Sequence, residues 1–349
     1  MIKIKRPNDS FKRLYVHGVK LPIDLSLSEN PIGCPSGVKK LLKRRKVEDV
    51  FEYPESGSGE LKLAIAKKFE LKSNAVFVAN GSEMIINLLP QAILSEKNEV
   101  IIPKVTFPMF EVAVRLAGNK VVISRINNSF DIDLDDIKKK ITSKTKLIFL
   151  CNPNNPTGRI LDKRTIVNLV NSTKAFVVVD EANIEFGGES VSDKIGDLDN
   201  LIVLRTLSKG FGLAGLRIGF CLANPRVIRN LEDISSVFPI SSISQKAALI
   251  ALKDNRFIKK TKRMMEKERE FLTKELRKKG FLVVDSSANN LLVQVGDLFG
   301  SSERFLGLLN KHGATVVDGA GFGLKDFVRI SPRLRKTNQA FLDVIDKIL

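Results

Sequence analysis

Lys209 stands where an apolar run, Leu201–Leu204, gives way through Arg205-Thr206-Leu207-Ser208 to a segment punctuated by Gly210, Gly212, Gly215 and Gly219, with Arg217 eight positions beyond the lysine. An apolar run that stops at small residues and glycines reads as a buried strand ending in a tight loop. A lysine held in such a loop loses solvation, which favours the neutral amine that condenses with a carbonyl to a Schiff base. Two neighbouring hydroxyls, Thr206 and Ser208, and an arginine are groups that grip a phosphate. Pyridoxal 5'-phosphate is the cofactor that asks for both. Taken alone, in a chain with 57 Lys and Arg, the segment is better explained as a surface lysine after a strand. Other stretches must supply the remaining pieces.

Several do. Ala175–Val179 is an apolar strand ended by Asp180-Glu181, and a buried aspartate there needs a cationic partner, although a helix cap or a metal carboxylate fits the isolated residue as well. Lys146–Leu150 is closed by Cys151-Asn152-Pro153-Asn154-Asn155-Pro156-Thr157-Gly158, a rigid loop at a strand's carboxyl end, where open α/β sheets bind ligands. Gly81-Ser82-Glu83 feeds a helix expected from Met84 to Leu94, presenting free backbone N–H groups to a phosphate or serving only as an N-cap. Thr106-Phe107-Pro108 follows the strand Val100–Ile102. Tyr53, in the loop Phe51–Gly57, is a packing aromatic unless a ligand claims it.

The elements that position these residues alternate strand and helix over residues 75–225, which argues for a mostly parallel sheet covered by helices on both faces. Phe281–Asp285, Asn290–Val295 and Phe327–Ile330, with helices near Glu303–Lys311 and Asn338–Ile348, form a smaller α+β unit. With 349 residues, two domains are expected: a large one over 30–239 and a small one built from 1–29 and 240–349. The net charge of +18 raises the question of polyanion binding. The basic residues are spread out, with denser clusters at Lys39–Lys46, in a helix expected over Ser36–Lys46, and in an amphipathic helix over Arg256–Lys279; no recognition motif accompanies them, so nucleic acid is not an expected partner. Three unpaired cysteines, two distant histidines and no long apolar stretch argue against disulfides, a histidine-rich metal centre and a membrane span; the expected location is the cytoplasm.

The ordered set Asn155-Pro156-Thr157-Gly158, Asp180-Glu181-Ala182, Thr206-Leu207-Ser208-Lys209, Arg217 and Val328-Arg329-Ile330 resembles the fold-type-I pyridoxal-phosphate aminotransferases, over Asn30 to Arg333. Within that superfamily it is similar to histidinol-phosphate aminotransferase and to its sister, L-threonine-O-3-phosphate decarboxylase. The resemblance implies the corresponding α/β fold, amino transfer between an amino donor and a 2-oxo acid, and a homodimer, with decarboxylation of a phospho-amino acid as the alternative. It also implies roles: Lys209 as the Schiff-base lysine and proton carrier, Asp180 as partner of the pyridine nitrogen, Asn155 as donor to the phenolic oxygen, and Phe107 as the stacking aromatic. Gly81, Ser82, Thr206, Ser208 and Arg217 correspond to the phosphate cradle, Tyr53 to a residue reaching the neighbouring subunit's cofactor, and Arg329 to the clamp on the substrate's α-carboxylate, with Asn30 on the substrate side.

Two positions depart from the family pattern. Asn183 stands where relatives commonly carry tyrosine, shortening or losing one hydrogen bond to the phenolic oxygen. Val317 stands where an arginine for a substrate phosphate is usual. His17-Gly18, Asn30-Pro31-Ile32-Gly33, Phe322-Gly323-Leu324 and Arg333 lean towards the decarboxylase, whereas Leu207–Phe211 and Ser287-Ala288-Asn289 lean towards the aminotransferase.

Overall fold

A computed structural model describes residues 21–44 and 48–349; His17-Gly18 and the Arg45-Lys46 end of the first basic cluster lie outside the described residues. After a short β1 (Ile23–Asp24), seven strands build one sheet: β2 (Val76–Asn80), β3 (Glu99–Pro103), β4 (Lys120–Ser124), β5 (Thr145–Cys151), β6 (Phe176–Asp180), β7 (Leu201–Thr206) and β8 (Ile218–Ala223). Their spatial order is β2-β8-β7-β6-β5-β3-β4, and β8 alone runs against its neighbours. The parallel strands are apolar at nearly every position because helices cover both faces. Val177 and Val179 point into one core with the helices Gly59–Lys68, Lys163–Asn171 and Ser242–Lys253, and Val178 into the other with Ser82–Ile93, Met109–Leu116 and Pro225–Asp233. The carboxyl ends of β2, β5, β6 and β7 and the amino end of β8 therefore meet along one edge.

The smaller unit adds β9 (Leu291–Gln294), β10 (Ala314–Thr315), β11 (Val317–Asp318) and β12 (Phe327–Ile330). β11, β12 and β9 form an antiparallel sheet, while β10 pairs in parallel with β1, so the N-terminal arm is a strand of the small unit. The expected strand Phe281–Asp285 is reduced to one bridge, Val283↔Val293. The chain then peels away because Ser287 N donates to Gly158 O at 2.8 Å, tying the small unit to the loop after β5.

The 24-residue helix Asn255–Lys278, started by the Asp254 side chain accepting from Phe257 N, joins the two units. At ~1.5 Å rise per residue it spans about 36 Å. Ile258, near its start, packs on the large sheet's core, and Leu272 and Leu276 pack in the small one. Ile240, Ala247, Ala248, Ala251 and Leu252 pack in the large sheet's core.

Candidate active site

A cavity of about 310 Å³ opens at the shared strand edge, closed on its far side by the small unit. Lys209 and Asp180 both line it. Asp180 ends β6 almost fully buried and accepts one hydrogen bond, from Ala182 N at 3.0 Å. Burial pushes its carboxyl up to about 7, the Ala182 N–H opposing and the Glu181 charge adding to the shift. Burial lowers the Lys209 ammonium to about 8, helped by the positive charges of Arg329 and Arg217. A carboxylate that resists ionising and an amine that readily gives up its proton face one space, each short of a partner.

At one end of the cavity the helix Ser82–Ile93 begins with no side-chain cap, which leaves first-turn N–H groups available at the positive end of its dipole. Gly219, inside β8, makes this possible: a Cβ there would lie 2.1 Å from Ser82 N. Gly81 plays the same part on the other side, since its Cβ would meet Arg217 Nη2 at 2.7 Å. Arg217 adopts a left-handed φ of +50° just before β8 and donates to Ser208 Oγ at 3.4 Å. Thr206 Oγ1 accepts from Ser208 N at 3.1 Å, folding the strand end so that both hydroxyl residues line the cavity. Hydroxyls, free N–H groups and a guanidinium thus converge, a set suited to a dianion.

At the other end Arg329, 3% exposed on β12, donates to Asn155 Oδ1 at 2.9 Å and to Ser26 O at 2.8 Å. No carboxylate among the described residues pairs with it, and its Nε is buried without a partner. Asn183 Oδ1 is likewise buried and unpartnered beside the cavity. Phe107 lines the wall, edge-on to Phe110 with ring centres 5.7 Å apart.

Ten of the thirteen residues singled out from sequence therefore share this cavity, and three do not. Gly81 borders it through Arg217. Asn30 does not face it: its amide nitrogen is committed to Lys209 O, Gly210 O and Thr261 Oγ1 at 3.3, 3.1 and 3.0 Å, so it holds the lysine turn against the long helix. Tyr53 is exposed and stacked on Phe238 with ring centres 4.7 Å apart. Sequence reasoning missed Glu29, Met109, Cys151 and Asn290, which also line the cavity. Asn290 donates to Pro156 O at 2.6 Å, and its place after the Ser287–Asn289 stretch was the available signal.

One reversed strand in an otherwise parallel seven-stranded sheet, with a lysine turn after one strand and a carboxylate at the end of its neighbour, defines a fold-type-I pyridoxal-phosphate enzyme. A family profile described as aminotransferase class I and II matches residues 21–345, and the chain belongs to that family. It is 35% identical over 343 residues to the histidinol-phosphate aminotransferase of Thermoanaerobacter pseudethanolicus, covering 97% of this chain and 96% of that one. The protein of the same name from Methanococcus aeolicus is 34% identical, covering 94% and 90%. Among solved structures, the histidinol-phosphate aminotransferase from Clostridium acetobutylicum superposes with a TM-score of 0.86 at 26% identity, covering 93% and 98% of the chains. That from Sinorhizobium meliloti, in complex with pyridoxal-5'-phosphate, superposes at 0.87 with 21% identity, covering 99% of both. The protein is a pyridoxal-phosphate-dependent aminotransferase, similar to histidinol-phosphate aminotransferases.

Proposed function

We propose that this cavity transfers an amino group from an amino donor such as glutamate to a 2-oxo acceptor of the imidazole-acetol phosphate type, as the names of the curated relatives suggest. The observation that carries the reading is Arg329, a buried cation that pairs with no carboxylate among the described residues and lines the cavity shared with Lys209 and Asp180. Burying a guanidinium without an anion costs stability, and an anionic substrate group offsets it.

The residues present fit the cofactor. Ser82, Thr206, Ser208 and Arg217, with the free N–H groups after Gly81, would hold its phosphate, and Asp180 its pyridine nitrogen. Asn155 and Asn183 would meet its phenolic oxygen and Phe107 a ring face. When bound, the group supplies an aldehyde that takes up the amino group and a ring that withdraws electrons. Asp180, whose carboxyl is raised to about 7 by burial, would pair as the ionised carboxylate with the protonated pyridine nitrogen. Lys209 Nζ, neutral not far above pH 8, would take up and return the proton of the substrate's α-carbon. Arg329 fixes the carboxylate so that this carbon faces the amine.

The exposed Tyr53–Phe238 stack, beside exposed Phe51 and Val237, supports a homodimer in which a second copy covers this patch and Tyr53 reaches that copy's phosphate cradle. No described helix is long and apolar enough to cross a membrane. Work in the cytoplasm fits small-molecule substrates of this kind.

The test is the absorption spectrum of the loaded protein before and after separate additions of L-glutamate, L-histidinol phosphate and L-threonine phosphate. Conversion of bound pyridoxal phosphate to pyridoxamine phosphate, with release of the oxo product, is the expected result for glutamate and histidinol phosphate. CO₂ release from threonine phosphate without that conversion would identify a decarboxylase instead. Lys209→Ala is expected to abolish turnover with the fold intact, and surviving turnover would remove Lys209 from its role.

A further inference from the structure

Two carboxylates flank the reacting groups without lining the cavity. Glu181 is the residue after Asp180 and is fully buried. Glu185 lies against Gly210, the residue after Lys209, so closely that a Cβ on that glycine would come within 2.7 Å of Glu185 Cβ. One side chain holds both: Arg205 Nη1 donates to Glu181 Oε2 at 3.0 Å and Nη2 to Glu185 Oε1 at 2.7 Å. Glu181 is fixed further by Val191 N at 2.7 Å and Ser190 Oγ at 2.6 Å. Arg205 itself precedes Thr206 at the end of β7, its guanidinium carbon 5.3 Å from the centre of the Phe69 ring. A planar fork can fix two carboxylates at a set angle, which an ammonium cannot do.

We infer that Arg205 is a positioning residue with two arms: through Glu181 it fixes the Asp180 end of β6, and through Glu185 it fixes the Lys209–Gly210 turn. The spacing between the buried carboxylate and the reacting amine is then set by one guanidinium. The arms separate in their consequences. The Glu185 arm bears on bonding to Lys209, and the Glu181 arm on everything that Asp180 holds.

The inference rests on the cofactor reading above, and two ligands keep the two apart. Pyridoxal phosphate can bond to Lys209 Nζ with loss of water, whereas pyridoxamine phosphate has no aldehyde and occupies the same pocket without that bond. Wild-type protein that captures neither ligand would sink the cofactor reading and, with it, the inference. With capture established, Glu185→Gln is expected to lower affinity for pyridoxal phosphate about tenfold, the scale of a lost outer-shell partner. Affinity for pyridoxamine phosphate should stay within about twofold, because the pocket is otherwise intact. Glu181→Gln should weaken both ligands, and Arg205→Lys should do the same while also lowering the ratio of the two affinities. Circular dichroism checks that each variant folds. A parallel fall of both ligands in Glu185→Gln would mean general damage, and no change in either would mean no positioning; both results overturn the inference.

Discussion

Arg205 and Arg329 occupy matching places in two different sheets. Each is the next-to-last residue of its strand, each is at most 9% exposed, and each leaves Nε without a partner. Each also lies over a phenylalanine, Arg205 at 5.3 Å from Phe69 and Arg329 at 5.7 Å from Phe322. Their acceptors differ. Arg205 meets two carboxylates, and Arg329 meets the neutral oxygens of Asn155 and Ser26. A buried cation whose charge is met inside the chain is part of the fold's framework. One whose charge is left unmet at a cavity is a receptor for an anion from outside.

That difference is easiest to break with matched truncations. Arg205→Met leaves Glu181 and Glu185 buried without their cation, and breaking a buried pair in this way costs roughly 3–5 kcal/mol. Arg329→Met removes an unmet charge and leaves only neutral acceptors behind, so unfolding stability is expected to hold within about 1 kcal/mol of wild type or to rise. Denaturant unfolding of both cofactor-free variants measures this. Equal losses would show that the two arginines do the same job.

Activity should reverse the order. Arg329→Met is expected to lower kcat/KM for a carboxylate substrate by a factor equivalent to roughly 2–5 kcal/mol of lost transition-state stabilisation, the cost of removing one member of a buried charge pair. The loss should be smaller for an amine substrate without an anionic group, because no charge pair is removed there. A variant that lost both substrates equally would make Arg329 a framework residue after all.

A third contrast needs no chemistry at all. An unreactive dicarboxylate at about 100 times its Kd should stabilise the wild-type protein by ~2.7 kcal/mol through mass action. It should do so in Arg205→Lys, and should fail to do so in Arg329→Met. Thermal scans with and without the dicarboxylate decide it.

Much of this contrast was legible in the sequence, and the illegible part has a physical cause. Arg329 within Phe327–Ile330 and Asp180 after Val177–Val179 stand out because a charge in an apolar strand demands an explanation, and strand ends bring such residues to one edge. β8 was not legible, because Gly219 reads as a loop glycine when in fact it is a strand glycine whose Cβ would lie 2.1 Å from Ser82 N. Asn30 shows the opposite failing: the Ser-Glu-Asn-Pro motif was visible, but no local pattern tells whether an amide turns to a ligand or to the backbone of Lys209 across 179 residues. The Glu181 and Glu185 contacts of Arg205 are equally non-local, even though the two carboxylates lie four residues apart. The helix Ser242–Lys253 is faint in the sequence because its buried face is mostly small or polar, Ser244, Gln245, Ala247, Ala248 and Ala251 with Leu252 the one large apolar residue.

The smallest expected effect is on pH dependence, and it separates the two arginines by reach rather than by strength. Burial first, then Arg329 and Arg217, bring Lys209 down to about 8 from its ordinary 10.5. Between those values the unfolded chain holds a proton that the folded one has released, so this group makes stability rise with pH in that window. Asp180 acts in the opposite sense: raised to about 7 from 3.8, it keeps a proton in the folded state that the unfolded chain loses, so its contribution makes stability fall as pH rises from about 4 to about 7. Arg329→Met removes one cause of the Lys209 shift, moving its titration upward and narrowing the alkaline window. Arg205 is not among the main charges acting on Lys209, and lysine keeps its positive charge, so Arg205→Lys should leave that window where it is. Melting temperature against pH for the cofactor-free proteins, with Asp180→Asn to remove the lower limb, measures both limbs. An alkaline limb that Arg205→Lys moved as far as Arg329→Met would mean that the lysine feels the framework cation as strongly as the receptor one.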